Sequence, residues 1–330
     1  MGPPSRSCAG VSGHNQADLR LAHSPFESDK PGTNEWKPPY AFLMSTPITR
    51  HTDHELNECL RLATLFAAIK LVLHIAANMW QAHLGWGYFR DEMYYIACGR
   101  HMAWGYVDHG PLVAVQAKVA LALFGKSLAG IRMLSALAGA GRVFVTGLLT
   151  WALGGRRPAQ RLAMIGVLLV PQYLGLDSFL SMNSFESLFW MLCLLSLILI
   201  QRGGSDRLWL LFGVSAGLGL LNKPSMTFFL VALLLALLLT PKRKLLRTRW
   251  AAAGVALLIL IALPNLLWQV HHHWPTLEFL RNGQLAEKSI QLVLPAFVLK
   301  QVVNMALCWP LSGLPAWFIS SATRTAAGWA

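Results

Sequence analysis

Trp250–Trp268 reads WAAAGVALLILIALPNLLW, nineteen residues without a charge. At about 1.5 Å of rise per residue, a helix of this length reaches across most of the roughly 30 Å of hydrocarbon in a bilayer. Lys242, Arg243, Lys244, Arg247 and Arg249 come just before it. Lys and Arg crowded against an apolar run mark the cytoplasmic end of a span. Further apolar runs lie at Cys59–Met79, Leu128–Leu153, Leu162–Leu176, Phe179–Ile200, Leu208–Leu221, Met226–Leu239 and Ile290–Ser312. The expected fold is therefore an all-α membrane protein with about eight transmembrane helices.

Composition agrees with that reading. Of 330 residues, 55% are hydrophobic and 13% charged, about half the roughly 25% charge of a soluble domain. A disordered chain, a collagen-like chain and an ordinary soluble enzyme are excluded. A net charge of +13 would point to nucleic acid in a soluble protein. Here the basic residues sort by membrane face instead. Arg156, Arg157 and Arg161, then Arg202 and Arg207, then the 242–249 cluster fall in alternate short loops. Those loops and the N-terminus are expected in the cytoplasm, and no nucleic-acid partner is expected. The five cysteines are odd in number and none is spaced CxxC, which argues against a disulfide framework or a zinc knuckle. Cys193 and Cys308 read as small hydrophobes in apolar runs.

Three regions follow. Residues 1–55 are polar and rich in Pro, Ser and His and read as a disordered cytoplasmic tail with no signal-peptide pattern; Met44 is an alternative start. Residues 56–320 form the transmembrane domain, and 321–330 a short C-terminal tail.

The remaining loops, Gln81–Ser127, Pro171–Ser184, Asn222–Ser225 and His271–Ser289, should face outside. They and the adjoining span ends hold Asp91, Glu92, Asp108, His109, Asp177, Glu186, Lys223, His271–His273 and Glu278. Solubilising charges scattered at random would not sort to one face. The first of these loops is dense in Trp and Tyr, the composition of a membrane interface. Two interfacial helices are expected in it, about Glu92–Trp104 and Leu112–Phe124. Asp91, placed just before the first, reads equally as a helix N-cap and as a working carboxylate. Lys223 at a span end reads as a functional cation or as a snorkelling lysine. Asp177 reads as a solvated loop acid or as a site residue beside Glu186.

The segments Phe89-Arg90-Asp91-Glu92-Met93-Tyr94-Tyr95 and Gly105-Tyr106-Val107-Asp108-His109-Gly110-Pro111-Leu112 resemble a known family. They are similar to the polyprenyl-phosphate-sugar-dependent glycosyltransferases of the GT-C fold, the branch with protein O-mannosyltransferases, aminoarabinose lipid A transferases and rhizobial lipopolysaccharide transferases. Phe124-Gly125, Arg132, Leu180–Glu186, Gly217-Leu218, Asn222-Lys223 and His273-Trp274-Pro275-Thr276 extend the likeness over about Cys59 to Leu280. Gly110 departs from it by standing where proline is usual. Many members also continue well beyond the point where this chain stops. A compact enzyme and a truncated, inactive binding subunit are both compatible with that end.

The resemblance implies a GT-C-like bundle that moves a sugar from a polyprenyl-phosphate donor to a glycan, lipid or protein acceptor by single displacement. The setting would be the inner or cell membrane, with the active site outside and membrane lipids as neighbours. It assigns the base to Asp91, with Glu92 as second carboxylate or support. Lys223 and Arg132 would meet the leaving phosphate, and Asp108, His109, Asn183, Glu186 and Tyr94 would complete the substrate site. A divalent metal held by His273 and Glu278 is possible, although an interfacial polar loop is the plainer reading of that stretch. No Gly-rich phosphate loop or dinucleotide fingerprint is present, which disfavours a soluble nucleotide-sugar donor. A lipid or polysaccharide carrier is the non-enzymatic alternative, but no internal repeat of the transporter kind is evident.

Overall fold

The computed structural model describes residues 53–285 and 293–305. The expectations for the N-terminal tail before residue 53, for Cys308 and for the 321–330 tail lie outside the described residues. Every extended regular element among the described residues is a helix.

In chain order these are α1 Asp53–His83, α2 Arg90–Arg100, α3 Leu112–Phe124, α4 Leu128–Ala152, α5 Arg157–Leu169, α6 Pro171–Leu176 and α7 Met182–Gln201. They continue with α8 Leu208–Asn222, α9 Met226–Leu238, a 3₁₀ turn Pro241–Arg247, α10 Arg249–His271, α11 Pro275–Leu285 and α12 Leu294–Met305. Hydroxyl caps open three of the four longest helices. Ser127 Oγ accepts from Gly130 N at 3.0 Å, Ser181 Oγ from Asn183 N at 3.1 Å, and Thr248 Oγ1 from Ala251 N at 3.1 Å, each satisfying an N–H that the helix itself leaves unpaired.

Four helices, α1, α4, α7 and α10, are long and apolar enough to cross a membrane. A fifth candidate is α9 with its 3₁₀ extension, bent by 111° between them. The eighth expected run is described only as α12. The third expected run, Leu162–Leu176, is not one helix. It breaks at Val170, where Pro171 has no N–H to continue the ladder. Its 13-residue first part, α5, rises only about 20 Å.

The long helices pack in the order α1–α4–α7–α8–α10, with α5 against α1 and α4. At the end where α1 finishes and α4 begins, α2 and α3 lie across the bundle. Tyr95, Ile96, Val113, Ala117, Ala120, Ile131 and Leu180 form one core there. A second core gathers Cys193, Leu197, Trp209, Phe212 and Ala216 between α7 and α8. The outside of the bundle is apolar. Val255, Ile259, Leu260 and Leu267 of α10 and Phe228, Val231 and Leu234 of α9 are exposed. In the absence of water this is the surface that lipid tails cover at no cost.

The interior runs the other way. Lys70, His74 and Asn78 of α1 are buried, as are Arg132, Ser135 and Arg142 of α4. Spacings of three, four and seven place each set on one helix face, so a polar seam runs between the two most extensively packed helices. Intramembrane ionisable groups normally have partners and a task.

Candidate functional site

The first turn of α2 divides its two acids. Phe89 takes the N-cap position, so Arg90, Asp91 and Glu92 are N1, N2 and N3. Glu92 does the capping, its Oε2 accepting from Phe89 N at 2.7 Å. The same carboxylate is fully buried and meets Arg132 through two parallel bonds, Nε–Oε1 at 2.8 Å and Nη2–Oε2 at 2.9 Å. It also accepts from Leu180 N at 2.8 Å. Arg132 Nη1 donates to Gln81 at 2.9 Å and Asn78 at 3.3 Å. This pair therefore ties α1, α2, α4 and the strand of chain before α7 together. Asp91 is left free of capping. It is 42% exposed, and its ion-pair partner is the solvated Arg90 at 3.2 Å, a contact of little energetic weight.

One turn along α2, Tyr94 donates to Asp108 Oδ1 at 2.7 Å. Burial first, and that bond second, hold its phenol well above the usual tyrosine range. Tyr95 is pushed up to about 12 by burial and then by the charges of Asp91 and Asp108. Asp108 thus acts on both rings, and Asp91 on Tyr95 alone. His109 is buried, packed edge-on by Tyr94 and Tyr95 and more nearly parallel to Tyr106. Its Nδ1 lies 2.7 Å from Gly110 O, with Nε2 3.8 Å from Cys98 Sγ and 3.9 Å from Asp108. Burial raises the Cys98 thiol, so it is not poised as a nucleophile. Tyr106 closes the end of α2, its one phenolic proton shared between Cys98 O at 2.9 Å and His101 O at 3.0 Å and its oxygen accepting from Ala103 N at 3.2 Å, and the helix ends short of the expected Trp104.

The second group of expected residues also comes together. Lys223 Nζ donates to Asn183 Oδ1 at 2.8 Å and Glu186 Oε2 at 2.9 Å. Glu186 accepts from Ser225 Oγ as well. Asn183 and Glu186 sit three apart on the first turns of α7, and Lys223 caps α8 in extended conformation. Next to Lys223, the buried Asn222 donates to Met182 O at 2.7 Å and accepts from Gln116 of α3 at 3.4 Å.

The two groups adjoin through Gly110. A Cβ at that position would meet the Leu221 carbonyl carbon at 2.7 Å. Absence of a side chain thus lets the Asp108–His109 segment lie on the end of α8, two residues before Lys223. The unusual residue of the first-loop motif is a close-approach glycine.

Asp177 corrects the expectation of a solvated loop acid. It is fully buried, bridged to Arg142 at 3.0 Å and 3.0 Å, with Lys70 Nζ at 3.4 Å and His74 Nε2 at 3.9 Å. The α6–α7 corner dips into the bundle because Pro171 ends α5 early. Composition around Asp177 gave no sign of that, and Arg142, inside an apolar run, escaped sequence reasoning altogether.

His272 stacks on Trp268 and its Nδ1 lies 2.8 Å from Trp268 O, while His273 holds a positive φ of 60°. Among the described residues, no three His, Cys, Asp or Glu side chains gather as a metal would need. No third described ligand thus joins His273 and Glu278. A cleft of about 480 Å³ lies at the far end of the bundle beside Glu58, Trp151, Arg156 and Arg157; none of the expected site residues lines it.

An all-α membrane protein with buried ionic groups strung from one end of its bundle toward the middle defines a class, not a reaction. The reaction type comes from comparison. Residues 108–268, a little under half of the chain, match the family model of the dolichyl-phosphate-mannose-protein mannosyltransferases. The match supports the GT-C resemblance and a membrane glycosyltransferase of the mannosyltransferase type. It begins at Asp108, so Asp91 and Glu92 lie before it. No curated protein and no solved structure matches the chain significantly.

Proposed function

We propose that this chain transfers a sugar from a polyprenyl-phosphate donor to an acceptor hydroxyl or amine on the non-cytoplasmic side of the membrane. The acceptor attacks the anomeric carbon as the bond to phosphate oxygen breaks. The phosphate leaves with the electron pair, and Asp91 takes the acceptor's proton. Asp108 and Tyr94 receive the acceptor, and His109 holds their segment in place. Lys223 faces the leaving phosphate. Its ammonium has three N–H donors; Asn183 and Glu186 use two, leaving one for a phosphate oxygen where charge develops. Glu92 and Arg132 serve as the clamp that fixes α2 and hence Asp91.

The observation that carries this reading is the Gly110–Leu221 contact, which lays the Asp108–His109 segment on the end of α8 two residues before Lys223, while Tyr94 bonds Asp108 to the helix that carries the exposed Asp91. The test is sugar transfer in proteoliposomes with a panel of polyprenyl-phosphate sugars, comparing the wild type with Asp91→Asn. Transfer by the wild type and its loss in the folded variant supports enzyme and base together. Equal transfer by both moves the base to another acid, Asp108 first. Donor binding without transfer by either protein replaces the enzyme with a binding subunit.

A further inference from the structure

Arg142 has no part in the transfer chemistry just described, yet its guanidinium makes four hydrogen bonds and a ring contact inside the bundle. It is completely buried. Nη1 and Nη2 bridge Asp177 at 3.0 Å each. Nη2 also donates to Ser184 O at 2.7 Å, and Nε donates to Ser187 Oγ at 2.7 Å. The Tyr173 ring covers the guanidinium at 4.0 Å.

Residues 183–187 of α7 therefore split between two cations. The Asn183 and Glu186 side chains turn to Lys223; the Ser184 carbonyl and the Ser187 hydroxyl accept from Arg142. Successive residues on a helix differ by about 100°, so a grip on 184 and 187 sets where 183 and 186 point. We infer that Arg142 is the positioning residue for Lys223: by fixing the rotation of the first turns of α7 it aims the Asn183–Glu186 cradle, and through it the Lys223 ammonium.

Asp177 is the counter-charge that keeps the guanidinium at this depth. Its carboxylate lies where a side chain on Gly139 would otherwise be, since a Cβ there would stand 2.6 Å from the carboxyl carbon. Arg142 is the fifteenth residue of α4, about 21 Å along the helix from its start. Its influence on Lys223 passes through α7 and needs no contact with substrate. A planar guanidinium suits this task because it donates in several fixed directions at once, which an ammonium cannot.

The role of Lys223 as phosphate ligand rests on the reading above; the aiming of Lys223 does not, and the experiment separates them. Wild type, Arg142→Lys and Ser187→Ala are reconstituted in proteoliposomes. Each is read in two ways: kcat and KM for the polyprenyl-phosphate sugar, and the rate of reductive methylation of Lys223 by peptide mass spectrometry. Arg142→Lys should raise donor KM about tenfold or more, the scale of one misdirected hydrogen bond to a charged group. Turnover at saturating donor should fall as well, because the misdirected ammonium no longer meets the charge that develops on the leaving phosphate. Lys223, released from Glu186, should methylate several-fold faster. Ser187→Ala should move both readouts the same way by a smaller factor, and it decides the matter if Arg142→Lys does not fold. Unchanged methylation and unchanged donor KM in a variant that melts with the wild type overturn the inference. If the wild type transfers no sugar from any donor, the functional reading fails, and the methylation rates alone still decide whether Arg142 aims Lys223.

Discussion

Glu92 and Arg132, forty residues apart, join through a bidentate bond of 2.8 and 2.9 Å beneath the first turn of α2. The geometry gives the two acids of the Asp91-Glu92 pair different tasks. Glu92 has no exposure, caps its own helix and holds the Leu180 amide. Asp91 takes no part in that network and stays 42% exposed beside the solvated Arg90.

Substitution of the two acids should therefore separate stability from activity. Glu92→Gln leaves the Arg132 guanidinium buried and uncompensated, which typically costs about 3–5 kcal/mol. A lower melting temperature in detergent, measured by intrinsic fluorescence, is the expected result. Asp91→Asn should melt like the wild type and lose about 10²–10⁴ in turnover, the range of a removed general base. A stable Glu92→Gln variant with wild-type packing would argue that the clamp is dispensable.

Gly110 supplies a second separation. Restoring the proline of the resembling family, or placing alanine there, adds a Cβ that collides with the Leu221 backbone. Overpacking of this sort costs about 1–3 kcal/mol. Gly110→Ala should lower the melting temperature and weaken transfer, because the shift pushes the Asp108–His109 segment away from Lys223. A Gly110→Pro variant more active than the wild type would contradict the close-approach account.

Alkaline stability should report the buried ring pair. Tyr95 is raised to about 12 and Tyr94 is raised too, whereas both titrate near 10 when unfolded. A raised folded value means that stability is fully present below about pH 10. It is lost as pH rises toward the folded value, because the unfolded chain releases those protons first. Melting temperatures should therefore fall between about pH 10 and 12, and Tyr95→Phe should flatten part of that fall.

How much of this was written in the sequence depends on the range of the contacts involved. The apolar runs at Cys59–Met79, Leu128–Leu153, Phe179–Ile200 and Trp250–Trp268 lie within α1, α4, α7 and α10 to within a few residues, because hydrophobic length is a local property. Asn183, Glu186 and Lys223 were individually visible as polar groups at apolar span ends. Their meeting depends on α7 packing against α8, and no spacing rule reveals that. Asp177 was visible as an acid of the outer-facing set, but its burial and its partner were not, and Arg142, inside an apolar helix, was not singled out. Only the break at Pro171, which turns the loop inward, makes them partners across 35 residues. The N-cap reading of Asp91 failed on a shift of two residues, since α2 begins at Arg90 and not after Asp91.

Lys223 gives the sharpest test of the phosphate side. Neither member of its pair is fully buried, with 31% exposure at the lysine and 18% at Glu186, so loss of the lysine should not unfold the bundle. It does strand Glu186 without a cation, which repels the donor phosphate as well as leaving its own charge poorly solvated. Lys223→Met should therefore cut turnover by about 10²–10³, the usual loss when one donor to a developing anion is removed, and should weaken donor binding further. Lys223→Met combined with Glu186→Gln removes the stranded negative charge. The double variant should regain the donor-binding part of the defect and none of the turnover part. Donor titration and single-turnover transfer, measured on the same three proteins, distinguish the two. If the double variant recovered turnover as well, charge balance at Glu186, and not contact between Lys223 and the leaving phosphate, would be what the lysine supplies.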